Sequence, residues 1–273
     1  MTTSLLDQLN RDRRRGQRRF AVLVDPDESD TRQCARIGQQ AANGGVDFLL
    51  VGGSLVVDDH LETCVQTLKK ASGLPVILFP GSIRQITPAA DALLLLSLIS
   101  GRNPDLLIGQ HVQAAPFLKR SGLELLPTGY LLIDGGAPTT VSYISNTLPI
   151  PRDKAEIAAS TAMAGEQLGL RLMYLDAGSG ARYAIPPKLI QAVRHSVEVP
   201  IIVGGGIRTP EAAADAARAG ADVVVVGNAL EDDLNLLREF TLAVHAASPG
   251  TPVATRSGSP SPETDNREWG ENR

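Results

Sequence analysis

Cysteine is scarce, with two residues, Cys34 and Cys64, in a chain of 273. Two thiols cannot make a disulfide framework, and neither lies in a CxxC or Cys/His spacing that holds zinc, so buried thiols in a reducing compartment are expected. Long apolar runs are missing too. Stretches such as Ala92–Leu96 and Val223–Val226 fall far short of the roughly 20 residues that span a bilayer. The arginines between Arg11 and Arg19 precede no apolar stretch of signal-peptide length, and the expectation is a soluble, cytoplasmic protein. Positive charge is not in excess. A formal net charge of −4 and a pI near 5.6 argue against a nucleic-acid partner, whose binding would come from neutralised phosphates. Also absent are a GxSxG elbow, a GxxxxGK[ST] loop and HxH or HExxH spacings, which disfavours acyl transfer, NTP hydrolysis and histidine-held zinc.

What the chain does have is 43% hydrophobic residues, enough for one sizeable core. Eight short runs rich in Val, Ile and Leu read as strands: Phe20–Val24, Asp47–Val51, Pro75–Phe79, Ala92–Ser97, Gly129–Ile133, Leu172–Asp176, Pro200–Val203 and Asp222–Val226. They are nearly continuous in apolar residues, as strands covered on both faces are. Helical patterns lie between them, near 30–42, 58–71, 83–89, 104–120, 153–168, 187–196, 209–219 and 229–245. Asp30, Asp58, Asn103, Asp153 and Thr209 stand where N-caps belong, with Pro104 and Pro210 just behind two of them.

Eight βα pairs predict an α/β fold of the (β/α)8 TIM-barrel type, a single domain over residues 1–247. A doubly wound open sheet is the alternative, but the first strand runs into Asp25-Pro26-Asp27 and not into a glycine fingerprint. Ser4–Arg15 predicts a short helix capping the N-terminal end of the barrel, its arginines a solvated face. Contact of that face with anionic lipid headgroups is the lesser reading. Residues 248–273 are rich in Ser, Pro, Thr and Gly and predict a disordered tail.

Chemistry in such a barrel sits just after the strands. Strand 7 runs into Gly204-Gly205-Gly206 and strand 8 into Gly227-Asn228. Glycines there let backbone N–H groups close on a phosphate, and the loops after strands 7 and 8 are the recurrent phosphate site of these barrels. Strand 6 ends in Tyr174-Leu175-Asp176-Ala177-Gly178-Ser179-Gly180. Asp176 offers a carboxylate for a proton or for polyol hydrogen bonds, and Ser179 a further phosphate donor. Strand 1 ends in Asp25-Pro26-Asp27-Glu28, three carboxylates beside the phosphate loops. Hard oxygens next to phosphate suit Mg²⁺, with Asp25 nearest the strand as ligand and Ser54, after strand 2, adding a hydroxyl.

Several segments together resemble the geranylgeranylglyceryl phosphate synthase family: FAVLVDPDES (20–29), FPGS (79–82), LSLISGRNP (96–104), PTTVSYISNTLPIPRDK (138–154), YLDAGSGA (174–181), VGGGIRTPEAA (203–213) and VVVGNALE (224–231). The match runs in order over about residues 18–240, and the LSLISGRNP and PTTVSYISNT segments are similar to the larger group of that family. The resemblance implies a Mg²⁺-dependent prenyltransferase on a TIM barrel. It implies joining sn-glycerol 1-phosphate to a polyprenyl diphosphate by an ether bond, with release of diphosphate. Asp25 and Ser54 match the magnesium positions. Tyr174 to Gly180, Gly205, Gly206, Gly227 and Asn228 match the glycerol phosphate site. A homo-oligomer and transient contact with the bilayer that holds the prenyl substrate are further implications.

One residue departs from the family, which usually has Glu where this chain has Asp176. The carboxylate is kept but is one methylene shorter. Arg182-Tyr183-Ala184-Ile185 also departs from the usual pattern. The competing function is another phosphate-binding TIM-barrel enzyme, such as a sugar-phosphate isomerase, which would have no need of the acidic cluster after strand 1. A non-catalytic scaffold is the third class.

Overall fold

The computed structural model describes residues 4–56 and 60–248. Helix α1 (Leu5–Arg14) starts at Ser4, whose hydroxyl accepts from the Asp7 amide, and Glu124 of a later strand accepts from the Ser4 hydroxyl and the Leu5 and Leu6 amides. Leu5 and Leu9 are buried against Ala21, Phe48, Leu126 and Val223. The expected cap on the N-terminal end of the barrel is there.

The chain then alternates: β1 (Arg19–Val24), α2 (Thr31–Gly44), β2 (Phe48–Val51), α3 (Leu61–Ser72), β3 (Val76–Leu78), β4 (Ala92–Leu98) and α4 (Gln110–Ser121). Next come β5 (Glu124–Leu132), α5 (Thr140–Ser145), α6 (Ala155–Gln167), β6 (Leu172–Asp176), α7 (Pro187–Ser196) and β7 (Ile201–Gly204). The last elements are α8 (Pro210–Ala219), β8 (Val223–Val226), α9 (Asn228–Asp232) and α10 (Leu237–Ala246). All eight strands pair in parallel in chain order and β8 closes on β1, with Ala21 beside Val225, so the protein is a closed (β/α)8 barrel.

Strand alternation divides the core. Inward residues such as Phe48, Leu50, Leu94 and Tyr174 fill the barrel, while Leu49, Val51, Leu175 and Val224 pack outward against the helices. Both layers are apolar because both faces of each strand are covered. Phe240 of α10 stacks on Phe20 of β1 at 5.9 Å, which seats the last helix on the seam where the barrel closes.

Several expectations need correction. No helix forms near 83–89; that stretch holds turns, and β4 follows β3 without a helix. Pro80, Gly81 and Pro88 interrupt it, and a run so short gains little from helical hydrogen bonds before tertiary contacts hold it. The helix expected over 104–120 opens with a π-helical turn, Asp105–Gly109, before α4 proper. The pattern at 229–245 breaks into α9, one 3₁₀ turn at Leu234–Leu236 and α10.

Asp30 and Thr209 do cap α2 and α8, accepting from the Gln33 and Ala212 amides, whereas α6 begins after Lys154 and not on Asp153. Asn103 accepts from the Asp105 amide. Strand β5 starts five residues before the expected Gly129, and α5 was not expected at all. The N-cap reading at Asp58 and the tail beyond Ser248 lie outside the described residues.

One charge cluster ties the N-terminal ends of the strands. Asp222 is 3% exposed and accepts from Arg18 at 2.7 Å, from Arg194 at 2.9 Å and from the Ile201 amide at 2.9 Å. Removing a carboxylate from such a set leaves its cationic partners unbalanced. Asp222→Ala is expected to lower unfolding free energy by about 3 kcal/mol, read from the urea midpoint. A loss below about 1 kcal/mol would show that water already screens these pairs as it does exposed ones.

Candidate active site

The C-terminal ends of β1, β2, β6, β7 and β8 surround one polar cavity of about 340 Å³. Asp25, Ser54, Tyr174, Asp176, Ser179, Gly180, Gly205, Gly206, Gly227 and Asn228 all line it, so the structure brings together most of the residues singled out in the sequence. The others stand behind. Leu175 and Ala177 point to the helix side and are buried in the outer core, and the Gly178 amide donates to Asp176 Oδ1 at 2.8 Å. The Ser179 hydroxyl donates to Asn228 Oδ1 at 3.1 Å, which joins the loops after β6 and β8.

Asp176 ends β6 and is 7% exposed. Its Oδ2 accepts from the Tyr130 hydroxyl at 2.5 Å. Burial raises its pKa above the ordinary carboxylate value, and the hydrogen bonds from Tyr130 and Gly178 pull it part of the way back. Burial, with the Asp176 charge beside it, also holds the Tyr130 phenol well above its usual pKa, so that hydroxyl stays a donor. Tyr130 is the residue that reading the sequence missed. It sits in register with Tyr174 on neighbouring strands, and a tyrosine inside the apolar run of β5 was the available signal. Phe79 stacks on Tyr174 at 4.9 Å and completes an aromatic wall.

The loop after β7 can close on the cavity only as glycine. Gly205 has φ of +81°, and a Cβ there would lie 2.6 Å from Asp176 Oδ1 and 2.7 Å from the Ala177 and Gly178 amide nitrogens. Gly205→Ala would therefore strain its own backbone by about 1–3 kcal/mol and displace the Asp176 carboxylate. The expected outcome is at least roughly tenfold weaker binding of glycerol phosphate by calorimetry, together with a lower Tm, the tenfold being equivalent to about 1.4 kcal/mol. Wild-type affinity in that variant would place the anion elsewhere. Arg208, also missed, lines the same cavity and donates to Ala181 O at 3.1 Å, adding a cation beside the glycine loops.

Asp25 lies across the cavity. One carboxylate oxygen accepts from the Asp27 amide at 3.0 Å and the other faces Gly53, where a Cβ would stand 2.7 Å away. Burial raises its pKa, and the charges of Glu28 and Asp27 add to the rise. Glu28 also lines the cavity, whereas Asp27 lines a separate one. Among the described residues no three His, Cys, Asp or Glu side chains are grouped as a metal site. A cation here would draw on Asp25, on the neutral Ser54 hydroxyl and on oxygens brought by a ligand.

A second, apolar groove adjoins the first. It runs between the β3–β4 connection and α4, lined by Ile83, Ile86, Leu93, Leu95, Leu106, Ala114 and Leu118, with Val141 and Ile144 of α5. Gly53, Ser54 and Phe79 border both spaces.

A family model described as the PcrB family matches residues 13–244. The chain belongs to the PcrB family. Its curated relatives include a geranylgeranylglyceryl phosphate synthase of Chitinophaga pinensis, 56% identical over 86% of this chain and 93% of the relative. Another, of the same name, from Thermococcus gammatolerans, is 46% identical over 77% of this chain and 83% of the relative. Among solved structures, the (S)-3-O-geranylgeranylglyceryl phosphate synthase of Thermoplasma acidophilum, in complex with its substrate sn-glycerol-1-phosphate, is 35% identical with a TM-score of 0.85. It covers 90% of this chain, and this chain all of it. Like these relatives, this PcrB-family member is a prenyl-transferring enzyme.

Proposed function

We propose that the enzyme joins the free primary hydroxyl of sn-glycerol 1-phosphate to C1 of a polyprenyl diphosphate, geranylgeranyl diphosphate by the name of its relatives, forming an ether and releasing diphosphate. The observation that carries this reading is the junction of two unlike spaces. A polar cavity rimmed by glycine loops meets an apolar groove at Gly53, Ser54 and Phe79. A ligand with a phosphorylated head fits the first space and a hydrocarbon tail fits the second. Tyr143, Ile144 and Leu148 are exposed near this end, consistent with brief contact with the membrane that stores such a tail.

The residues present suit Mg²⁺. Asp25 and Ser54 offer hard oxygens, and the burial that raises the Asp25 pKa, with the smaller contributions of Glu28 and Asp27, is a cost that a divalent cation would relieve. When bound, the ion would supply charge stabilisation to a departing diphosphate. Few protein ligands are needed, because Mg²⁺ commonly takes one or two carboxylates and completes its shell from phosphate oxygens and water.

The chain's own residues hold and orient the acceptor. Backbone amides of the β7 and β8 loops and the Ser179 hydroxyl receive the phosphate, which leaves the glycerol hydroxyls directed toward Asp176. Asp176 accepts the proton from the attacking hydroxyl as the new C–O bond forms. Tyr130, by donating to Oδ2, fixes the carboxylate so that its remaining lone pairs face the cavity. Because an allylic C1–O bond breaks readily once the leaving charge is stabilised, a weak base suffices, and the shorter Asp in place of Glu is compatible with turnover.

The direct test is incubation of the purified protein with labelled glycerol 1-phosphate and a series of polyprenyl diphosphates in the presence of Mg²⁺. Ether product from at least one chain length is expected, and no product from any would end the proposal. A crystal soaked with glycerol 1-phosphate should place the phosphate against the amides of Gly206 and Asn228, near Ser179. A phosphate bound elsewhere would overturn the assignment of those loops. Cytoplasmic placement and a homo-oligomeric state belong to the same reading.

A further inference from the structure

Two thiols that the proposed reaction does not use face each other between α2 and α3. Cys34 Sγ and Cys64 Sγ are 3.0 Å apart, and both residues are buried. The helices are built to bring them there. One turn beyond Cys34 stands Gly38, where a Cβ would lie 2.9 Å from Ala71 Cβ and 3.2 Å from Leu68 O. The two helices thus approach as closely as their backbones permit. Bonded sulfurs lie about 2.05 Å apart, so covalent closure asks for a movement of about 1 Å.

The pair is enclosed, with Cys34 at 0% and Cys64 at 2% exposure, and an internal space adjoins it. A cavity of about 280 Å³ meets both cysteines from the side of the β1–α2 connection, bounded there by Pro26, Asp27 and Ser29 and on the other side by His60 and Thr63. Its size admits a small neutral oxidant and not a protein. The two sulfurs are also unequal. The hydrogen bond between them holds the Cys34 thiol below its ordinary pKa, while that same bond and burial push the Cys64 thiol up. Cys34 is then the better nucleophile. As a thiol, Cys34 also donates to the Ser29 carbonyl at 3.6 Å, a bond that a disulfide, having no S–H, gives up.

We propose that Cys34 and Cys64 form a redox-active dithiol, oxidised by a peroxide to an intramolecular disulfide that crosslinks α2 to α3. The Cys34 thiolate attacks one peroxide oxygen, the O–O bond breaks, and a sulfenic acid and hydroxide result. The Cys64 sulfur then attacks the sulfenic sulfur, the S–O bond breaks, and the hydroxyl leaves as water with the thiol proton. Overall, two thiols and one hydrogen peroxide give one disulfide and two waters. The sites are cysteines on two different helices, so the bond ties α2 to α3 and removes freedom from the unfolded chain.

The test uses the full chain and hydrogen peroxide, without substrates, so its outcome is independent of the proposed prenyl transfer. When folded wild-type protein is treated, quenched and only then unfolded for counting, titratable thiols are expected to fall from two to none, with monomeric mass reduced by two hydrogens. Tm is expected to rise by several degrees, and a dithiol reductant should reverse all three changes. Cys64→Ser should leave a sulfenic acid at Cys34 that dimedone traps, and Cys34→Ser should abolish the disulfide.

Thiols that react only after unfolding, a disulfide between two chains, or irreversible oxidation without a crosslink would each overturn the dithiol. The wild-type thiol count decides the matter even if a serine variant fails to fold.

Discussion

Asp176→Ala is expected to lower kcat by roughly 10²–10⁴-fold, the usual share of a proton-accepting side chain, while affinity for glycerol 1-phosphate, held by the phosphate loops, changes less. Asp176→Glu should keep or raise turnover by restoring the longer reach. Asp176→Asn keeps the shape of the side chain, and its amide oxygen can still accept from Tyr130, but it cannot take a proton and its NH2 loses the bond from the Gly178 amide. That variant should be nearly inactive, and its Tm should depend less on pH than that of wild type.

The sign of the pH effect follows from the raised pKa of Asp176. Its contribution to folding is fully present below the unfolded-state value and is lost as pH rises through the higher folded-state value, because the buried charged form is costly. Differential scanning calorimetry of both proteins should therefore show the difference in Tm moving in the variant's favour as pH rises. For the same reason the acid limb of the kcat/KM profile should lie above the ordinary aspartate value of 3.8. Wild-type turnover in the alanine variant would remove Asp176 from the mechanism.

The second large effect is at Asp25. Asp25→Asn should cut turnover by at least roughly 100-fold, since charge stabilisation at a departing diphosphate amounts to several kcal/mol. Asp27→Asn should cost far less. Only Asp25 of these two lines the polar cavity; Asp27 borders the cavity of the cysteine pair. Activity should vanish in EDTA and return with Mg²⁺. Steady-state rates at saturating substrates measure both effects, and undiminished activity in the chelator would end the metal assignment.

The eight strands were legible because burial on both faces makes each of them an unbroken apolar run, a pattern that a single sequence carries on its surface. The residues after those runs were legible for a related reason. Glycines and carboxylates stand out where apolar strands stop, and Asp25, Asp176, Gly205 and Gly227 do converge on one cavity. Features that depend on contacts between distant segments did not show. Tyr130 looks like one more core residue until β5 and β6 are set side by side, and only then does its hydroxyl meet Asp176.

The apolar groove is equally silent in the sequence, since its lining comes from the β3–β4 connection, β4, α4 and α5. The 83–89 stretch misled in the opposite direction, because the eightfold rhythm of strands implies a helix there and outweighed the local signal of Pro80, Gly81 and Pro88 against one. The cysteine pair, thirty positions apart, had no local signal at all.

The missing helix between β3 and β4 leaves one side of the barrel with a thinner wall than the rest. In an ordinary barrel a ligand enters and leaves along the axis, through the mouth. Here the turns from Phe79 to Ile86 form the flank of the apolar groove, so a long chain can be laid in from the side, like a cable into a slotted conduit, and its far end never has to pass the catalytic rim. Traffic is thereby divided. Under the proposed function the small polar acceptor would use the axial route and the hydrocarbon the lateral one, so neither need wait for the other to clear, and arrival in either order becomes compatible with the same architecture.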